Sequence, residues 1–319
     1  MRLRELGADR YAAEVLPLTA EIWAGRRDLQ TYVAENLEVA RSRYGRKHYR
    51  TFGFFDGKTL VASFKKYDRT MRLEARRLHA IGIGAVFTPK GQRGHGYATA
   101  MLATALDGAR EEGYDIAFLF SDIGSAFYAS VGFRELPSRE LSLRADALPN
   151  RRLAVARLGE RDWSGVARCY DLCERHAETG FVRTPLVWNW IRTLRRMRAA
   201  RSIGEQTDLV VRHGRGVGAY VLGSRVPQRD TYELEEFGFA DDDAAAVVPA
   251  LLRAAAGDLR RITGWLPPSG ARELLPKGSV RKRRGPLLMV APLSPQGVTL
   301  ARALAESSRG DRCWETDHV

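Results

Sequence analysis

From residue 86 to 98 the chain runs Val86-Phe87-Thr88-Pro89-Lys90-Gly91-Gln92-Arg93-Gly94-His95-Gly96-Tyr97-Ala98, a glycine-rich loop between an apolar segment and an amphipathic one. Gly91, Gly94 and Gly96 let successive backbone N–H groups converge, and a helix starting behind them adds the positive end of its dipole. The loop is therefore an anion cradle that needs no dedicated charged side chain. It is not a Walker A loop, because no Lys-Ser/Thr pair follows its last glycine. Its Gly-x-x-Gly-x-Gly order also differs from the dinucleotide fingerprint. Behind the loop, Ala98, Met101, Leu102, Ala105, Leu106 and Ala109 recur at helical spacing, which predicts one buried face. Residues 79–87 before the loop and 115–120 after the helix read as strands, so strand, helix and strand predict a βαβ crossover.

Around this unit, residues 18–43 read as helical, and residues 49–55 and 59–67 as a β-hairpin closed by Asp56-Gly57, a pair that tolerates a tight turn. The order then repeats: a hairpin over 207–213 and 217–223, a strand over 231–239, an Asp-capped helix from 242 interrupted at Pro249, and a strand over 261–265. Thr184-Pro185 opens a further helix, as N-cap and first helical residue. The 319-residue length fits two domains. The polar stretch 139–152, ending in Pro149-Asn150-Arg151-Arg152, reads as the linker. The expected fold class is α/β with mixed sheets in two tandem domains, residues 1–146 and 147–319.

The segment Arg93-Gly94-His95-Gly96-Tyr97-Ala98 resembles the Arg/Gln-x-x-Gly-x-Gly/Ala signature of the GNAT N-acetyltransferases, and Phe127-Tyr128-Ala129-Ser130-Val131-Gly132-Phe133, about thirty residues on, resembles their second hallmark. The wording Val86-Phe87-Thr88-Pro89, with Leu119-Phe120-Ser121-Asp122-Ile123-Gly124 and Phe127-Tyr128, is similar to the fungal-type lysine N-acetyltransferases. A GNAT domain followed by a degenerate second one is also similar to the enhanced-intracellular-survival type of aminoglycoside acetyltransferase, whose additional sterol-carrier-like domain this chain is too short to hold.

The resemblance implies that Ala85, Val86 and Phe87 pair their backbone with the pantetheine arm of acetyl-CoA, that the amides of Arg93, Gly94, His95, Gly96, Tyr97 and Ala98 hold its pyrophosphate, and that Ser121 stands where many relatives carry a cofactor-contacting Asn. It implies Tyr128 as the acid that protonates the departing thiolate. The base stays open among His79 at the strand start, Glu74 nearby, and the carboxylate of Val319. The implied reaction moves an acetyl group to a primary amine of a small molecule, lysine-like or otherwise cationic. The alternatives are a silent acyl-CoA sensor and an acetyltransferase for a protein amine. The second domain carries Ala240-Asp241-Asp242-Asp243 where the first has its glycines, and carboxylates there repel a pyrophosphate. It is expected to wall the substrate cleft or form an interface.

The charge balance, 51 Lys+Arg against 38 Asp+Glu, invites a nucleic-acid reading. Arginine supplies 44 of the 51 and forms no dominant block, a bias that a GC-rich genome produces, so no nucleic-acid partner is expected. The runs Arg281-Lys282-Arg283-Arg284 and Arg192, Arg195, Arg196, Arg198, Arg201 read as solvated turn and helix face. Cys169, Cys173 and His176 lack zinc-knuckle spacing and read as core packing, so no metal is expected. With three cysteines, no apolar run near the ~18 residues of a membrane span, and no secretory leader, the expected setting is the cytoplasm, without a membrane partner. The sequence is silent on oligomeric state and on the identity of the acceptor.

Overall fold

The computed structural model describes residues 1–174, 177–214, 216–306 and 313–318. Sixteen strands are present among them: β1 Arg2–Leu6, β2 Tyr49–Asp56, β3 Thr59–Leu73, β4 Arg76–Phe87, β5 Ile116–Ser121, β6 Arg134–Glu135, β7 Arg139–Arg144, β8 Val155–Arg157, β9 Thr179–Val182, β10 Glu205–Gln206, β11 Leu209–His213, β12 Gly216–Val226, β13 Thr231–Phe239, β14 Arg261–Trp265, β15 Ser279–Lys282 and β16 Leu287–Pro292. The helices are α1 Ala8–Glu14, α2 Leu16–Trp23, α3 Leu29–Arg41, α4 Arg43–His48, α5 Tyr97–Glu111, α6 Ala126–Ala129, α7 Trp163–Glu174, α8 Pro185–Ala199, α9 Asp242–Ala245, α10 Val248–Ala256, α11 Ser269–Arg272 and α12 Pro295–Ala305. The single helix read over 18–43 is several, because Ser42 and Asp28 each take extended backbone and cap a new start. None of the helices is long and apolar enough to cross a membrane among the described residues.

Two eight-stranded mixed sheets form, in the orders β1-β2-β3-β4-β5-β16-β6, with β9 beside β3, and β8-β11-β12-β13-β14-β7-β15, with β10 beside β12. Each has one parallel pair, β4 with β5 and β13 with β14, followed by an antiparallel strand. That antiparallel strand is exchanged: β16 from the chain's end pairs with β5 across Ile116 to Ser121, and β7 from its middle pairs with β14. The stretch read as a linker is thus partly sheet. In β7 Leu141 and Leu143 are buried while Glu140 and Ser142 lie on the other face, and a six-residue strand with one buried face looks polar in sequence. A cut at residue 147 divides the sequence but not the sheets.

Strand exchange makes a prediction. Residues 1–146 alone leave the edge of β5 without β16, and residues 147–319 leave β14 and β15 without β7, so each half exposes a long unpaired edge. Each fragment is expected to aggregate when expressed alone, and co-expression is expected to return a soluble complex. A soluble 1–146 fragment with a cooperative melt would overturn this.

The runs of arginine read as solvated are largely paired. Arg195 is buried and bridges Asp208 at 2.8 Å and Glu235 at 2.7 Å, Arg192 pairs with Glu160, Arg196 with Glu38, and Arg201 with Glu35. Arg283 is buried with its guanidinium 3.6 Å from the Trp265 ring centroid. Helical spacing marks a face but not what covers it. Cys169 and Cys173 pack from α7 onto the second sheet, with their thiols on the carbonyls of Val217 and Phe239, while His176 lies outside the described residues.

Candidate active site

The site starts from an irregularity in β4. Opposite β3, Lys65 pairs with Gly84 but Ser63 pairs with Phe87, so β4 carries one extra residue, and Ala85 takes φ +47° to accommodate it. A bulge of this kind bends the strand and breaks the pairing beyond it. The parallel pairing of β4 with β5 ends at Gly82 opposite Phe118, so the two strands diverge from there. The remainder of β4, through Ala85, Val86 and Phe87, therefore presents backbone N–H and C=O groups along a slot, which an extended ligand chain can fill as an added strand.

The loop opens at the end of that slot. Gly94 and Gly96 take φ +82° and +74°, and an added Cβ on Gly91, Gly94 or Gly96 would meet nothing within 4 Å. Gly96 is the N-cap of α5 without any side-chain cap, and among the described residues the N–H groups of Gly94, His95 and Gly96 donate to no backbone carbonyl. Unsatisfied amides at a helix start attract an anion. Arg93 folds the loop back by donating Nε to the Thr88 carbonyl at 3.2 Å, and His95 stacks on Tyr97 at 5.7 Å. Ala98 follows in the first turn of α5, half-buried.

Tyr128 sits in α6, buried, with Phe127 and Phe133 edge-on at 4.9 and 6.1 Å. It shares its apolar cluster with Ile83 and Leu119, from the two strands that diverge, and Val86 packs against the same cluster. Burial, and after it the charge of Asp122, push its phenol up to about 12, and no hydrogen bond holds its hydroxyl among the described residues. Asp122 follows β5 directly, and partial burial raises its carboxyl as well.

Two residues singled out in the sequence stand apart. Ser121 is buried and its hydroxyl donates to the Gly124 carbonyl, holding the turn after β5 rather than facing a ligand. His79 is exposed at the start of β4, where its own N–H donates to Asp115. At ~3.3 Å per residue it lies about 20 Å along the strand from Ala85, so it is no base for this site. Glu74 lies further still, in the β3–β4 turn, with its N–H on the Glu178 carbonyl. Val319 lies outside the described residues.

Parts of the second half of the chain pack on the face of the first sheet away from α5. Alternate residues of β3 and β4 face α5, as the cluster of Phe64, Ile81 and Ile83 with Met101 and Leu102 shows, so Tyr67, Gly82 and Gly84 face away. On that opposite face the Tyr67 ring covers Gly84, Trp190 of α8 stacks on Tyr44 at 4.5 Å, and Trp23 meets Phe87. Residues 313–318 lie there too, with the His318 ring 5.0 Å from Phe120 of β5 and 5.8 Å from Trp265 of β14. Burial lowers His318 to about 3, so its imidazole is neutral.

A buried charge cluster fixes that segment. The Asp317 carboxylate accepts from Arg69 of β3 at 3.1 Å and from Arg183 at 2.9 and 3.0 Å. Arg183 also donates to Glu236 of β13 at 2.7 Å and to Thr316 at 2.9 Å. Nothing in the sequence announces these partners, since Arg69 and Asp317 are separated by most of the chain. Asp122 had a local signal, its place directly after the strand that lines the slot.

A family model for the acetyltransferase (GNAT) domain matches residues 9–136. No curated protein matches the chain. Among solved structures, a probable N-acyltransferase from Enterococcus faecalis V583 is similar at 17% identity and a TM-score of 0.73, covering 93% of this chain and 73% of that one. Eis1 from Mycobacterium abscessus is similar at 13% identity and 0.63, over 92% and 74%. A tandem GNAT protein from the clavulanic acid biosynthesis pathway is similar at 13% identity and 0.52, over 92% and 99%. Residues 9–136 are thus similar in sequence to the acetyltransferase (GNAT) domain, and the chain has the GNAT fold.

Proposed function

We propose that the protein transfers an acetyl group from acetyl-CoA to a primary amine of a small molecule, directly, with both substrates bound. The observation that carries this is the combination of three features: the strand slot from Gly84 to Phe87, the amides of Gly94, His95 and Gly96 in the loop that follows it, and Tyr128, which shares its apolar cluster with Ile83 and Leu119 and whose hydroxyl has no hydrogen-bond partner among the described residues. Ala85, Val86 and Phe87 pair with the pantetheine arm, and the amides from Arg93 to Ala98 hold the pyrophosphate. The neutral amine attacks the thioester carbon, the N–C bond forms as the C–S bond breaks, and the proton lost from nitrogen balances the one gained by the thiol. Tyr128, held protonated far above neutrality, donates a hydrogen bond to the sulfur as thiolate charge builds up.

Thiol release from acetyl-CoA over a panel of primary amines tests the reading. Tyr128→Phe is expected to lower kcat about 10²–10⁴-fold with CoA affinity retained, the range of a lost general acid. CoA binding without turnover on any amine would leave a sensor instead, and an unimpaired Tyr128→Phe would remove Tyr128 from the chemistry.

A further inference from the structure

Over the second sheet lies a cleft of about 510 Å³ that no step above uses. Its floor is the face of β7, β13 and β14 that carries Ser142, Glu233, Thr263 and Trp265, and the segment 313–318 supplies Glu315 to its wall. Helices α7 and α10 pack on the opposite face, where the alternate residues Tyr232, Leu234 and Ile262 are buried in the core.

The cleft adjoins the acyl site. Gly285, on its rim, sits so close to the turn after β5 that an added Cβ would lie 3.5 Å from the Ser121 carbonyl and 3.6 Å from Asp122. Asp122 is the carboxylate whose charge reaches Tyr128. Trp265, also in the cleft, contacts Phe120 at 5.6 Å. A molecule with its reacting amine at the slot therefore extends into this cleft on the side away from α5.

The charges there are unevenly matched. Glu233 pairs with Arg229, Glu140 with Arg281, and Glu235 beneath the segment with Arg195. Glu315 has no ion pair and no side-chain hydrogen bond among the described residues, and the charges of Glu235, Arg198, Glu233 and Arg283 all reach it. Arg283 is engaged by Trp265 and the Pro286 carbonyl, and Arg198 by the His318 carbonyl.

We propose that this cleft is a distal subsite for the acceptor and that Glu315 selects there for a cationic group remote from the amine being acetylated. The proposal rests on the acetyltransferase reading and deepens it: the favoured acceptor carries a second positive centre. Burial, with Glu235 next, raises the Glu315 carboxyl to about 7. Its neutral form therefore dominates below neutrality. Selection should strengthen as pH rises through about 7, where the carboxylate forms while an alkyl ammonium stays protonated.

The test compares spermidine and putrescine with n-butylamine as acceptors, by thiol release. The wild type is expected to favour spermidine by about tenfold or more in kcat/KM, the scale of one charge-assisted contact. Glu315→Gln is expected to remove that preference through KM, with the n-butylamine rate unchanged, and to flatten its rise between pH 6 and 8. Thr263→Lys, which sets a competing cation on the cleft floor, is expected to do the same and covers the case in which Glu315→Gln fails to fold. A spermidine preference equal in wild type and variants, or none in the wild type, overturns the proposal and leaves the acetyltransferase reading standing. If no amine is acetylated, calorimetry of spermidine on the CoA-loaded protein decides. Binding lost in Glu315→Gln upholds the cleft while the transfer reading fails, and no binding in the wild type overturns the cleft too.

Discussion

Replacing Gly96 with valine is expected to abolish measurable CoA binding, by about 100-fold or more, while the chain still folds. The two effects separate because of where the new side chain goes. Gly96 sits at φ +74°, and a β-branched residue there costs ~1–3 kcal/mol of local strain. Its Cβ meets no protein atom within 4 Å, so no packing is displaced and the global fold keeps its core. The side chain would stand beside the loop amides that donate to no backbone carbonyl among the described residues, which is where the proposed function has a pyrophosphate approach the α5 N-terminus. Calorimetry with CoA and circular dichroism on the same preparation measure both. Wild-type affinity in Gly96→Val would show that phosphate is held elsewhere. A collapsed spectrum would show that the loop serves the fold and not only the ligand.

Asp317→Ala is expected to cost about 3–5 kcal/mol of stability, the usual loss when one partner of a buried ion pair is removed. Arg69 and Arg183 have side chains that are 0% exposed, and Asp317 supplies the carboxylate that meets both. Without it, Glu236 alone faces Arg183 and no carboxylate of the cluster reaches Arg69. Chemical denaturation gives the loss directly. Because Asp317 also accepts from the Trp314 N–H and so closes the turn that carries Glu315, acceptor KM is expected to rise in the same variant under conditions where it remains folded. An unchanged denaturation midpoint would mean that the cluster gains nothing over its desolvation cost. Replacing the whole cluster with apolar residues is expected to be near neutral, since the penalty arises from the arginines left behind.

Several local features were legible from the residues. The strand–loop–helix unit needs only near neighbours: the glycines for positive φ, the spacing of Ala98 to Ala109 for the buried face, and the apolar run behind β5. The second parallel pair was likewise visible, and β13 and β14 fall where alternation and the interruption at Pro249 predicted. What failed was what depended on partners far along the chain. β7 reads as a linker because its partner β14 is more than a hundred residues away, and the polar half of its six residues dominates the composition. His79 stands near the start of its strand, as its sequence reads, but which end of that strand borders the slot depends on where β4 and β5 part, and that is the other end.

The sequence by itself determined the strand–loop–helix unit, since a loop of backbone amides at a helix start is a local object built from thirteen consecutive residues. Only the tertiary structure decided what surrounds that unit. The bulge at Ala85, the exchange of β7 and β16, the clamp on Asp317 and the place of Glu315 in the cleft each bring together groups that no sequence spacing relates. Their cause is long-range pairing and burial: a strand goes where a free edge needs it, and a charge is kept inside only where opposite charges from other segments meet it.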